Sequence, residues 1–344
     1  MDEMFKMPYI HAPFRDVVNP YLDEASRLTA GWIESAGLTP TPEARLRMRR
    51  TDPQGASAYT WPYANRDELM LCIKWLATVF RLDDQLDEPA VAVSAEESMQ
   101  VTERLCALFE GTTAARETPV DQAVAELWQE TAYGQPPDWR AAFVDSMQKW
   151  LRTYPAEALL DMTGEYLDFD TYLDHREYSV GMPWLYDLAA RGLGLPQAVR
   201  EAPALRSLRR AAAVHSALVN DLFSVRREAM VGYPHNAVLI LRRETGCSLQ
   251  EAADEVGAYI AHRAEEMLAA YSALSQGLQR DGVPLTTQID ALAYADRIMA
   301  CTRGQITWHS TSARYATDDI SSPGGSLGYP ADLLPPSSPW PAGF

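Results

Sequence analysis

Residues 67–87 read DELMLCIKWLATVFRLDDQLD, an apolar helix that runs through Leu69, Leu71, Ile73, Trp75 and Phe80 and ends in a carboxylate cluster at Asp83, Asp84 and Asp87. Residues four apart fall about 40° apart around a helix of roughly 3.6 residues per turn, so Asp83 and Asp87 share one face. A second stretch, NDLFSVRRE at 220–228, lies inside another helical pattern that runs from Ala204 to Met230. There Asn220, Ser224 and Glu228 repeat the four-residue interval and form a stripe about 12 Å long at about 1.5 Å rise per residue. All of these groups are hard oxygen donors of the kind that suit Mg²⁺, an ion that keeps several waters and completes its shell with substrate phosphate oxygens. The two stretches together point to a diphosphate.

Helical periodicity extends over nearly the whole chain. Asn19-Pro20 reads as an N-cap and first helical position, and Thr41-Pro42 repeats that signal. Further helices are expected over Glu97 to Glu110, Val120 to Ala132, Asp138 to Arg152, Ala156 to Arg176, Ser248 to Leu278 and Gln288 to Ala316, and strand patterns with hairpin turns are absent. Val180-Gly181-Met182-Pro183 interrupts the pattern after Arg176, because a proline inside a helix removes a hydrogen bond and clashes with the preceding turn. No linker divides the middle of the chain. One all-α domain over residues 1–316 is therefore expected, followed by a Pro/Ser/Gly-rich tail over 317–344 that should be mobile or extended and lie apart from any site.

The 344 residues are 47% hydrophobic, enough for a large core. A net charge of -17 argues against a nucleic-acid partner, which would need dense Lys and Arg surfaces. It leaves room for a small anion, provided that metal cations reverse the local sign at a carboxylate-rich cleft. Cys72, Cys106, Cys247 and Cys301 are scattered and form no C-x-x-C pair, so zinc and a disulfide framework are not expected. The N-terminus lacks a basic region followed by an apolar run, and no segment has about 18 uninterrupted apolar residues. A soluble, cytoplasmic protein is the expectation. The sequence contains no P-loop, zincin or nucleophile-elbow motif.

An aspartate run on a helix is usually a solvated face. Here Phe80, Leu82 and Leu86 surround the carboxylates, and buried unpaired carboxylates are expensive unless a metal relieves them. Asn, Ser and Glu at four-residue intervals have no structural reason to occur together, and serine is mildly disfavoured inside a long helix. The pair of motifs, D-D-x-x-D followed downstream by N-D-x-x-S-x-x-x-E, resembles the class I terpene synthases, specifically the single-domain bacterial type. Arg176-x-x-Ser179-x-Gly181, Arg314-Tyr315 with Trp308 six residues before it, and Trp61-Pro62-Tyr63-Ala64 ahead of Leu69 and Trp75 carry the same resemblance, which covers about residue 15 to residue 316.

That resemblance implies a single helical domain around an apolar cavity, with both metal motifs at its mouth. It implies Mg²⁺, three ions in number, held by Asp83, Asp87, Asn220, Ser224 and Glu228. Arg176, Arg227, Arg314 and Tyr315 are expected to clamp the diphosphate of an isoprenyl substrate, farnesyl diphosphate by default, since a planar guanidinium binds phosphate oxygens in pairs. Ser179 is expected to link Arg176 to a backbone carbonyl at Val180 or Gly181. Ionisation to an allylic cation and cyclisation to a terpene hydrocarbon or alcohol would follow. Phe80 and Trp308 are the foremost aromatic wall residues, with Trp75 and Trp184 beside them, and Asp84 is expected to support the site by hydrogen bonding. A homodimer is a further expectation of the resemblance. Two departures stand out: Arg227 replaces the lysine of many relatives, and the break reads Tyr178-Ser179-Val180-Gly181, which leaves the effector carbonyl open. The alternatives are a chain-elongating isoprenyl diphosphate synthase, which would use a second aspartate-rich motif, and a noncatalytic helical protein that holds a divalent ion.

Overall fold

The computed structural model describes residues 6–87, 94–111, 116–315, 329–330 and 332–334, apart from the side chains at 87 and 231. Fifteen α-helices and one 3-10 turn account for its regular structure, and no strand occurs among the described residues. In chain order they are α1 (Leu22–Ser35), α2 (Pro42–Thr51), α3 (Pro53–Thr60), α4 (Arg66–Asp87), α5 (Ala95–Phe109), α6 (Pro119–Ala132), α7 (Pro137–Leu151) and α8 (Thr153–Thr163). These are followed by α9 (Phe169–Ser179), α10 (Met182–Ala189), α11 (Gln197–Arg200), α12 (Pro203–Val231), α13 (Ala237–Thr245), α14 (Leu249–Arg280), α15 (Leu285–Thr311) and the turn Ala313–Tyr315. No helix among the described residues is long and apolar enough to cross a membrane.

Local chemistry sets most of these boundaries. Asn65 and Glu68 form a reciprocal capping box that opens α4, each side chain accepting from the other's backbone N–H at 3.0 Å. Thr41 caps α2, as its sequence predicts. Asp52 serves two helices: at φ 53 it ends α2, and its carboxylate accepts from Gly55 N to start α3. Asn19 stands just ahead of its helix rather than at the cap: α1 starts at Leu22, Asn19 Oδ1 accepts from Tyr21 N at 2.9 Å in the turn that leads in, and its Nδ2 donates to the carbonyls of Trp61 and Ala64 at 2.8 and 2.9 Å.

The single helix expected from Ala156 to Arg176 is two helices, because Gly164 turns left-handed at φ 68 and Asp168 recaps α9 through Thr171 N. The last long helix also ends early. Ser312 leaves helical geometry and its hydroxyl accepts from Arg314 N, so Arg314 and Tyr315 sit on a separate turn aimed back at the end of α4.

Helices α12 and α14 pack along one another, α4 lies among α1, α3 and α6, and α15 bridges α12 and α3. The core between them is rich in aromatic rings. Trp75 is fully buried, with its centroid 6.4 Å from Phe109, 5.9 Å from Phe143 and 6.1 Å from Trp184. Its indole N–H donates to Thr131 Oγ1 at 2.8 Å, which satisfies the polar edge of the ring inside an apolar layer.

Tyr329, Leu333 and their neighbours do not behave as a loose tail. Tyr329 and Leu333 are buried, the former against Ala44 and the latter in the main core. The expectation of a mobile or extended tail fails at these positions, because buried side chains and charged partners on α4 and α5 hold them. The rest of 317–344 lies outside the described residues.

Candidate active site

Three α-helices and the 3-10 turn deliver the polar groups to one cavity of about 210 Å³, and its wall includes Asp83, Arg176, Asn220, Ser224, Arg227, Glu228, Arg314 and Tyr315. Phe80, Trp184 and Trp308 line it. Trp75 does not. It packs behind Trp184, where its indole bond to Thr131 holds it in the core layer. The Asp87 side chain lies outside the described residues.

At the α4 end, Asp83 accepts from Arg314 Nη2 and from the Tyr154 hydroxyl, both at 3.0 Å. Asp84, 1% exposed, accepts a bidentate pair from Arg47 at 2.7 Å and a further bond from Arg314 at 3.0 Å. Burial alone would raise the Asp84 carboxyl, yet Arg314 and Arg47 outweigh it and hold the group below the usual carboxylate range. Desolvation wins at Asp83, whose carboxyl is raised despite the same Arg314. Asp84 therefore anchors arginines, and both carboxylates line the cavity beside Phe80. The Arg314 guanidinium also lies 5.4 Å from the Phe80 ring, which stacks on Trp308 at 5.7 Å.

Across the cavity, Arg176 is the hub of α9. Its Nη2 donates to Asn220 Oδ1 at 2.8 Å and Asp221 Oδ1 at 2.9 Å, and its Nη1 donates to Ser179 Oγ at 3.1 Å. Ser179 thus ties the guanidinium to the start of the break. Gly181 has φ 76, and a Cβ there would stand 3.1 Å from Trp184 Nε1 and 3.4 Å from Trp150 Nε1, so two indoles close on its backbone. Pro183 falls in the first turn of α10, where its missing N–H leaves no helical bond unmade.

The α12 stripe is assembled by residues that periodicity does not reveal. Asn236, fully buried, donates from Nδ2 to Glu228 Oε2 at 2.7 Å and to the Asp221 carbonyl at 2.8 Å, with Ser224 Oγ at 3.4 Å. One amide therefore gathers Ser224 and Glu228. His309 Nδ1 lies 2.7 Å from the Gln305 carbonyl and so carries the proton, which leaves Nε2 to accept from Asn220 Nδ2 at 3.2 Å. The Tyr315 hydroxyl accepts from the same amide at 2.9 Å. Burial pushes the His309 imidazolium down to about 4, which keeps that ring neutral. Burial, with Asp221 adding to it, pushes the Glu228 carboxyl up to about 7. Burial and the nearby Arg314 and Arg47 lower the Arg227 guanidinium to about 10.

A carboxylate raised that far is short of positive charge, and an amide oxygen, a hydroxyl and that carboxylate at four-residue spacing suit a hard divalent cation. The residues present fit such an ion, although no three His, Cys, Asp or Glu side chains gather as a ready cluster among the described residues. Asn236 could have been flagged in the sequence as an Asn preceding an apolar run, but only as the cap of α13, a role that it also plays through Val238 N. Arg47, Tyr154 and His309 carry no local signal.

The chain is similar to known proteins. Residues 74–266 match the family model of terpene synthase family 2, C-terminal metal binding. The chain is 44% identical over 320 residues to a (2Z,6E)-hedycaryol synthase of Kitasatospora setae, covering 92% of this chain and 95% of that one. It is 28% identical to a 7-epi-alpha-eudesmol synthase of Streptomyces viridochromogenes that cyclises (2E,6E)-farnesyl diphosphate, over 88% of this chain and 90% of the relative. A solved hedycaryol synthase in complex with nerolidol superposes with a TM-score of 0.80 at 41% identity, covering 88% of this chain and all of the other.

Proposed function

This chain belongs to the bacterial class I terpene synthase family, a family that binds metal, and on that footing we propose that it ionises farnesyl diphosphate and cyclises the cation to a sesquiterpene hydrocarbon or alcohol. The observation that carries this reading is the convergence of Asp83 with Asn220, Ser224 and Glu228 on one aromatic cavity. Mg²⁺, three ions by the family resemblance, would be held by Asp83, Asp87, Asn220, Ser224 and Glu228 and would supply Lewis-acid charge to the leaving diphosphate. Arg176, Arg227 and Arg314 donate to the remaining diphosphate oxygens, and Tyr315 adds a hydroxyl donor from the same turn as Arg314.

Bond cleavage leaves an allylic cation in a chamber walled by Phe80, Trp184 and Trp308, whose ring faces stabilise it by about 0.5–2 kcal/mol each. Ser179 couples Arg176, which senses the diphosphate, to the backbone at Val180 or Gly181, one of whose carbonyls would face the developing charge. Exclusion of water protects the cation until it closes. The enzyme acts in the cytoplasm in this reading, and a homodimer is its expected assembly, to be read by sedimentation equilibrium. Family membership removes support from the chain-elongating and noncatalytic alternatives.

The test is incubation with geranyl, farnesyl and geranylgeranyl diphosphates in turn, with and without Mg²⁺, read by gas chromatography with mass detection. A cyclic C15 product that disappears on chelation is the expected result. Turnover of none of the three by folded protein, or turnover indifferent to chelation, would refute the assignment.

A further inference from the structure

Behind the carboxylates of α4 lies an arginine with no access to solvent. Arg81 is 0% exposed, and its guanidinium is fully engaged: Nε donates to Gln85 Oε1 at 3.1 Å, Nη1 to the Gly37 carbonyl at 2.5 Å, and Nη2 to both Asp332 oxygens at 2.7 and 2.6 Å. Among the described residues, Asp332 is its one ion-pair partner. Gln85 Nε2 continues the connection, donating to the Pro330 carbonyl at 2.9 Å and to Asp332 Oδ1 at 3.2 Å. The described residues around Asp332, 329–330 and 332–334, form a strap against α4 and are seated on either side. The Tyr329 ring lies 5.4 Å from the Arg81 guanidinium, Leu333 is 2% exposed in the core, and the Leu333 carbonyl accepts from Arg104, which is itself paired with Asp121.

Helix geometry relates this lock to the site. Arg81 and Gln85, four apart, share one face of α4, whereas Asp83 between them is turned roughly 160–200° away at about 100° per residue. The cavity wall accordingly contains Asp83 and neither Arg81 nor Gln85. We propose that Asp332 is a positioning residue for the diphosphate site: by pairing with Arg81 and accepting from Gln85 it fixes the helix end that presents Asp83 to the cavity. A buried guanidinium that loses its counter-charge must reach water or find another partner, and on α4 either movement rotates or frays the turn that carries Asp83. The inference rests on the diphosphate reading given above.

The full-length protein and its Asp332→Asn variant are compared by two measurements: calorimetric binding of inorganic diphosphate in the presence of Mg²⁺, and the Mg²⁺ concentration at half-maximal diphosphate release. Outer partners of metal ligands typically alter affinity about 10- to 100-fold, so weakening of about tenfold is expected in both, with partial rescue by Asp332→Glu. A variant that is less heat-stable but binds Mg²⁺ and diphosphate as the wild type does would overturn the proposal and reduce the strap to packing. Should Asp332→Asn fail to fold, Gln85→Leu removes the strap's bonds to Gln85 and leaves the Arg81 pair intact. A smaller loss in the same direction supports the inference, and unchanged binding overturns it. If the wild type itself binds no diphosphate with Mg²⁺, the proposed function fails and the strap's role falls with it.

Discussion

At the end of α4, the carboxylates of Asp83 and Asp84 face two guanidinium groups, those of Arg47 and Arg314, whereas on α12 Glu228 faces an amide and a hydroxyl. The Arg176 charge on that side is taken chiefly by Asp221. Both helices are read as metal-binding, yet among the described side chains the two α4 carboxylates meet two guanidinium groups, while on α12 Glu228 is pushed up to about 7 by burial. A divalent ion therefore gains most at the α12 stripe. On α4 it must compete with Arg314 for Asp83.

The largest expected effect is on α12. Glu228→Gln should lower Mg²⁺-dependent diphosphate release by more than the roughly 10- to 100-fold typical of a supporting partner, with unchanged helicity by circular dichroism. Full turnover by the folded variant would erase the difference between the helices. Asn236→Asp comes next. It keeps an oxygen for the α13 cap but sets a carboxylate against Glu228, so the Mg²⁺ half-saturation concentration should rise about 10- to 100-fold. A small shift there would mean that Ser224 and Glu228 gather without the amide.

Proton linkage sharpens the contrast further. A ligand must be deprotonated to bind metal. With its pKa raised to about 7, Glu228 is charged and ready above that pH and protonated below it, so Mg²⁺ affinity should fall about tenfold from pH 8 to pH 6. Asp84, held low by arginines, contributes no change over that range. Titrating Mg²⁺ with inorganic diphosphate at both pH values checks this, and the Glu228→Gln protein should keep only the pH dependence of diphosphate's own protonation. The smallest effect is at Phe80, which shares α4 with Asp83. Phe80→Leu keeps apolar volume but removes a ring face of about 0.5–2 kcal/mol, so the product mixture should shift several-fold toward earlier-quenched species while conversion barely moves. An unaltered mixture would assign Phe80 to packing against Trp308.

Much of this was legible in the sequence because it is local. Four-residue spacing places Asn220, Ser224 and Glu228 on one stripe whatever the tertiary fold, and Thr41-Pro42 and the Val180–Pro183 break act through their own backbones. What was missed is what depends on distant chain. Asp84 meets Arg47 from 37 residues away, Asp83 meets Tyr154 from 71 and Asn220 meets His309 from 89. Asn19 keeps its local bond, Oδ1 accepting from Tyr21 N, but nothing local shows that its Nδ2 also ties the chain to the distant carbonyls of Trp61 and Ala64. Trp75 shows the limit for aromatics: periodicity places it on the buried face of α4, and only Thr131 and Trp184 decide which layer it occupies.

The strap also has a consequence in time. Arg81 and Asp332 are 251 residues apart, so at about 5–20 residues per second the ribosome takes roughly 13–50 s between the two. For that interval the nascent chain holds a guanidinium whose counter-charge has not yet been made, and an unpaired charge cannot be taken into an apolar interior. The last turns of α4 must stay wet until Asp332 has been made. Whatever the ribosome folds early, the end of the helix that presents Asp83 cannot close before that residue emerges.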